Sequence, residues 1–228
     1  MWEYGGVGGP FSLPYSHTPT HPYSHTVQTG QLFFRNGLTR LLCQRTLTRL
    51  ASIQGMLAAF SKMKIDKSTL GVAGEFAVAA ELCRRNIYAQ LTLGHQKRID
   101  LLIVSPDGEM LRIEVKAKQG REWPNCKGIY GTNTFIVFVD YHNKPPTERP
   151  DFYVLTVEDW IAHVESTIAR YTEKHPHRRA EMNKTNCLVL PDEVNKYGKP
   201  YKGCGVKPRQ IHEHHEAWWK IIKNLDDE

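Results

Sequence analysis

RIDLLIVSPDGEMLRIEVKAK, Arg98–Lys118, decides how this chain is read. It contains two short apolar strands joined by a turn, with Pro106-Asp107-Gly108 as the turn signal. The first strand carries one carboxylate, Asp100. The second carries Glu114 and Lys116. Each charge interrupts an apolar run, where an unpaired ion is costly, and such a cost is usually tolerated only for function.

Side chains alternate along a strand, so Arg112, Glu114, Lys116 and Lys118 share one face and Leu111, Ile113, Val115 and Ala117 the other. The turn makes the pair an antiparallel hairpin. A five-residue loop centred on Asp107 sets Asp100 directly opposite Glu114; a four-residue loop shifts this by one position. In either register the two carboxylates lie close together, and they repel unless one is protonated or a cation sits between them. Hard oxygen donors favour Mg²⁺, with Mn²⁺ as a substitute. The Val115 backbone carbonyl is a further candidate ligand. Lys116 points the same way as Glu114, where an ammonium can orient water or offset charge on a phosphate.

Upstream, the folded domain is expected to start near Asp66, with Ser68 as the N-cap of a helix running to about Arg85. Gly71 and Gly74 are unfavourable inside a helix and suggest close packing on a sheet. Glu75, Val78, Ala79 and Leu82 share a face that otherwise looks inward, so Glu75 points at the core or at a site. Glu81 and Arg85 read as a surface i, i+4 pair. Downstream, the pattern predicts strands at 87–93, 135–140 and 152–155, with a loop and room for a short helix at 119–133. A helix capped at Thr156 follows over 157–171. An edge strand is expected at 187–190 and a last helix at 212–224. The fold class is α/β, an α+β mixed sheet flanked by helices.

These residues resemble the PD-(D/E)xK nuclease superfamily over roughly 66–155, with Holliday-junction resolvases and restriction-like endonucleases the nearest branches. Gly74–Leu82 (GEFAVAAEL) is similar to the first-helix carboxylate motif, Asp100 to the acid of the second core strand, and Glu114-Val115-Lys116 to the (D/E)xK element. Ile99 stands where many members have proline. The resemblance implies a restriction-endonuclease-like αβββαβ core and a metal-dependent endonuclease acting on DNA. In that role Asp100 and Glu114 are metal ligands, Lys116 is the catalytic lysine and Glu75 an auxiliary acid. A lone ExK is common on charged surface strands. It is the joint pattern of helix acid, isolated Asp, turn and ExK that carries weight. The alternatives are a catalytically silent nucleic-acid-binding module on the same fold and a half-exposed hairpin with satisfied surface charges.

Charge and composition set the rest. The 228 residues have a mean hydropathy of -0.48 and a formal charge of +6. Residues 1–65 hold six Lys/Arg and one acid, the remainder 24 and 23, so the basic balance does not belong to the folded domain as a whole. Within it, residues 174–209 hold nine Lys/Arg and three acids. This is a candidate phosphate-contacting segment, or else a solvated loop. Lys118, Gln119, Arg121, Arg178 and Arg179 are the nucleic-acid contacts expected from these two regions. Trp123 and Tyr130 read as a base-stacking wall or, more simply, a satellite core. Trp218 and Trp219 cannot share a helix face. Asp140 reads as a strand-end turn residue. His212, His214 and His215 with Cys187 and Cys204 match no zinc module.

Residues 1–62 form a separate extension. Up to residue 30 they are low-complexity and expected to be disordered. Residues 31–62 alternate leucine and arginine at helical spacing, which fits an amphipathic surface helix, a transit-type leader, or upstream sequence from a misassigned start codon. The domain is then 63–228. Five scattered cysteines without CxxC suggest reduced thiols and a cytoplasmic protein, and no apolar run is long enough to span a membrane. The expected partner is DNA, without a small-molecule cofactor. A homodimer would supply two sites for duplex cleavage.

Overall fold

The computed structural model describes residues 64–92 and 98–226. The N-terminal extension, with its amphipathic stretch, lies outside them. Helix α1 spans Lys67–Cys83, and strands β1 Ala89–Leu91, β2 Leu101–Val104, β3 Met110–Lys118, β4 Trp123–Cys126, β5 Thr134–Asp140 and β6 Asp151–Leu155 follow. Then come helix α2 Val157–Lys174, strands β7 Glu181–Met182, β8 Leu188–Val194, β9 Pro200–Lys202 and β10 Cys204–Val206, and helix α3 Trp219–Asp226. This is a mixed α/β architecture, as the sequence pattern predicts.

Five strands form the main sheet in the order β1-β2-β3-β5-β6. Only β3 and β5 run parallel; the other neighbours are antiparallel. Strand β5 is buried at every position, as the uninterrupted FIVFV run requires of a strand covered on both faces. On one face Phe135, Val137 and Val139 join Val78 and Leu82 of α1, together with Trp218 and Ile221. On the other, Ile136 and Phe138 join Trp160 and Val164 of α2, Trp123 of β4, and Leu188 and Leu190 of β8. β3 contributes Leu111, Ile113 and Val115 to the first layer; Glu114 and Lys116 fall on the second face, beside Ile136 and Phe138.

Helix α1 sits very close to β3. A Cβ on Gly74 would lie 2.7 Å from the Ala117 Cβ, so glycine is what permits that approach, whereas Gly71 meets nothing. The N-cap is Asp66, not Ser68: Asp66 Oδ2 accepts from Ser68 N at 3.0 Å and Thr69 N at 3.3 Å, and from the Ser68 hydroxyl. An aspartate two residues earlier satisfies the free amides of the first turn and adds a charge favourable to the helix dipole. Thr156 caps α2 as expected, in a capping box with Asp159.

Four further expectations change. Glu81 is buried: Arg149 grips it through Nε at 2.9 Å and Nη2 at 2.8 Å, and Arg85 at 2.7 Å. Arg149 also reaches Glu216 at 2.7 Å. The segment 119–133 carries β4, paired with β10, rather than a helix. β8 is the middle strand of a separate β7-β8-β9 sheet rather than an edge. The last helix begins only at Trp219, after two short 3₁₀ turns, because Glu216 has a φ of 52°, incompatible with continued right-handed helix. Trp218 is then buried and Trp219 exposed. No helix among the described residues is long and apolar enough to cross a membrane.

Candidate active site

The site forms where β3 outruns β2. The pairing runs from Val104↔Met110 to Leu101↔Ile113, the five-residue-loop register. Continued one step it would set Asp100 against Glu114, but the ladder ends there. Asp100 N still donates to Ile113 O at 2.9 Å. Its side chain takes over the next rung, with Oδ2 accepting from Val115 N at 2.6 Å. Asp100 thus closes the exposed edge of β3, and its backbone carbonyl is held by Thr92 N at 3.0 Å.

Glu114 is 4 % exposed. Its Oε1 lies 2.6 Å from Lys116 Nζ, and Lys116 also approaches the Val115 carbonyl at 3.4 Å. The other oxygen, Oε2, is buried without any hydrogen-bond partner. Native proteins seldom leave a buried carboxylate oxygen in that condition, because it costs roughly 1–3 kcal/mol. Lys116 is about one-third exposed and so links the buried carboxylate to solvent. Glu75, next to Gly74 on α1, is half-buried. Burial raises its carboxyl pKa, the Asp100 charge raises it further, and the Lys116 ammonium opposes both. Glu75, Asp100 and Lys116 therefore share one electrostatic environment, and Lys116 ties Glu114 into it.

Among the described residues no group of three or more His, Cys, Asp or Glu side chains is assembled as a ready metal site. The donors that the edge of β3 does offer are the Asp100 and Glu114 carboxylates and the Val115 carbonyl. All are hard oxygens, and the unpartnered Glu114 Oε2 is the one most in need of a cation. That set suits Mg²⁺, which commonly keeps several waters and binds through one or two carboxylates plus substrate phosphates.

The expected nucleic-acid contacts separate from this centre. Lys118 is 3 % exposed. Its ammonium is spent on Asp140 at 2.5 Å and the Gly120 carbonyl at 3.0 Å, above the Trp123 ring at 4.5 Å. The parallel register sets Lys118 beside Asp140, so this lysine is structural and not a surface contact, and burial lowers its pKa despite that partner. Asp140 is accordingly more than a turn residue, since it also accepts from His142 N at 2.8 Å. Gln119 Oε1 accepts from Ile65 N at 3.0 Å. Arg121 is exposed. Arg178 and Arg179 are also exposed but pair with Glu193 and Asp192, each at 3.0 Å, in the small sheet. Trp123 belongs to the second core and donates to Val139 O at 3.2 Å; Tyr130 is exposed.

A cleft of about 260 Å³ borders Glu114, lined also by Arg98, Ile99, Arg112, Ile129, Tyr130, Gly131 and Thr134. None of the five expected contacts lines it. Arg98 and Arg112 do, and sequence reasoning passed over them: Arg98 stands two residues before Asp100, but the 129–134 loop that faces it is brought there by the β3–β5 crossover.

No protein-family profile matches the chain, and no curated protein does. Among solved structures, a bacterial homing endonuclease, I-Ssp6803I, aligns with 70% of this chain and 94% of its own, at 19% identity and a TM-score of 0.36. A likeness at that level carries no argument about the site, whose reading rests on its own residues.

Proposed function

We propose that the chain is a metal-dependent nuclease that hydrolyses phosphodiester bonds of DNA at the edge of β3. The observation that carries this reading is the buried, unpartnered Glu114 Oε2 next to Lys116 and the Asp100 edge. Asp100, Glu114 and the Val115 carbonyl would hold Mg²⁺ or Mn²⁺. When bound, such a cation lowers the pKa of water and neutralises charge developing on the phosphate. Lys116 would be free to donate to a phosphate oxygen or to orient the attacking water if a cation took its place at Glu114. Glu75 adds a negative field beside Asp100, and burial, followed by the Asp100 charge, raises its carboxyl pKa. DNA as the substrate follows the resemblance of the Glu75–Asp100–Glu114–Lys116 pattern to the PD-(D/E)xK superfamily.

One observation favours a second reading, a nucleic-acid-binding module without catalysis: Lys116 already neutralises Glu114 at 2.6 Å. The two readings separate in a cleavage assay on plasmid, linear duplex, four-way junction, flap and single-stranded DNA with Mg²⁺, Mn²⁺ or EDTA. The nuclease reading requires cleavage with metal, none with EDTA, and loss in both Asp100→Ala and Lys116→Ala. Folded wild type that binds DNA but cleaves none of these substrates would establish the binding module instead.

A further inference from the structure

Two buried atoms of opposite charge, each without a partner, border the cleft at Glu114. One is Glu114 Oε2 and the other is Arg98 Nη1. They do not bond to one another. The Arg98 guanidinium lies over the Tyr130 ring at 5.2 Å, and both residues line the cleft. The backbone of Arg98 has a φ of 70°, a left-handed conformation that long side chains rarely adopt. Such strain is maintained where surrounding structure enforces it, commonly at functional sites.

We infer that Arg98 binds a phosphate of the substrate, and that the cleft holds the nucleotide adjoining the cleaved bond. The inference rests on the nuclease reading and adds to it a residue and a binding subsite. A buried guanidinium N–H that finds no acceptor in the protein demands one from a ligand. Arg112 brings a second guanidinium to the same cleft, and among the described residues lining it Glu114 is the only acid, so the ligand is anionic where it meets the arginines. Ile99, Ile129 and Tyr130 give the remaining wall an apolar surface, suited to a sugar ring or base face. A phosphodiester with its attached nucleoside combines these properties. The two unpartnered atoms also divide its surroundings sensibly: the orphan acceptor on Glu114 takes the cation and the orphan donor on Arg98 takes the phosphate oxygen. Arginine's planar fork suits that contact better than a lysine would.

The test uses the full chain and reads binding separately from cleavage. Fluorescence anisotropy with a labelled duplex and a labelled four-way junction is followed in EDTA over a salt series for wild type, Arg98→Lys, Arg98→Gln and Arg98→Ala. Thermal melts identify any variant that fails to fold. Loss of a phosphate contact is expected to weaken binding about tenfold and to reduce the slope of log K against log salt by about one. Lysine should restore the salt slope more than the affinity, because it keeps the charge and loses the fork. If folded Gln and Lys variants bind with wild-type affinity and slope while wild type cleaves DNA, the assignment of Arg98 is overturned and the nuclease stands. If wild type neither binds nor cleaves any of the substrates, the nuclease reading itself falls and the Arg98 assignment with it.

Discussion

Replacing Glu114 by methionine should make the protein more stable while abolishing cleavage. The side chain is 4 % exposed, and its unpartnered oxygen costs roughly 1–3 kcal/mol. Against this, the ion pair with Lys116, which is about one-third exposed, contributes at most about 1 kcal/mol after solvent screening. Methionine matches the length of glutamate, removes the orphan oxygen and packs beside Ile136, its neighbour on β5; Lys116 turns to water. The balance favours the variant by up to about 2 kcal/mol, or roughly 8 °C at most in melting temperature for a domain of this size. Differential scanning calorimetry in EDTA measures it. Mg²⁺ should then raise the melting temperature of wild type, by linkage to binding, and leave the variant unchanged. A methionine variant less stable than wild type by 1 kcal/mol or more would refute the reasoning. It would mean that the carboxylate is integrated into the fold and is not held in readiness for a ligand.

Lys118→Ala should lower stability by about 3–5 kcal/mol in urea denaturation, because it leaves the buried Asp140 carboxylate unpaired; Lys118→Met combined with Asp140→Leu should recover most of that loss. His163, whose ring centroid lies 5.6 Å from that of Trp160 in a tilted arrangement, has its pKa pushed down by burial to about 4 from 6.5. The unfolded chain therefore binds the extra proton between those values, and stability should fall as pH drops from 6.5 to 4, by about 3 kcal/mol in all; His163→Phe should flatten this part of the pH profile. Gly74→Val, which drives a branched side chain into Ala117, should cost about 1–3 kcal/mol by overpacking and should reduce cleavage through displacement of Glu75, measurable as a fall in kcat.

What the sequence reveals here depends on the range of the interaction. The two faces of β3 are legible because its alternation is local, and the Pro-Asp-Gly turn anticipates the observed register as one of two choices. Glu75 is legible because its helical neighbours Val78 and Leu82 are strongly apolar. Glu81 is misread because an i, i+4 arginine looks the same whether the pair faces water or not; the difference is made by Arg149, 68 residues further on. Lys118 fails for the same reason. It follows the alternation of Glu114 and Lys116, and only the parallel register with β5 delivers Asp140 to it. Arg98 escapes notice because a cation at a strand entrance is ordinary until a distant loop closes over it. The late start of the last helix turns on one left-handed residue, Glu216, which nothing in its composition announces.

Strand β4 pairs with β10, and this imposes an order on biosynthesis. The Asp100, Glu114 and Lys116 side chains leave the ribosome well before the strand that braces the segment between β3 and β5. At typical elongation of ~5–20 residues per second, the interval between Cys126 and Val206 lasts roughly 4–16 s. A nascent chain in that interval carries the candidate-site side chains before β10 can pair with β4. Pairing of β10 with β4, rather than synthesis of the motif, is the event that completes the scaffold between β3 and β5. Truncations that end before Cys204 should therefore be inert even though every motif residue is present.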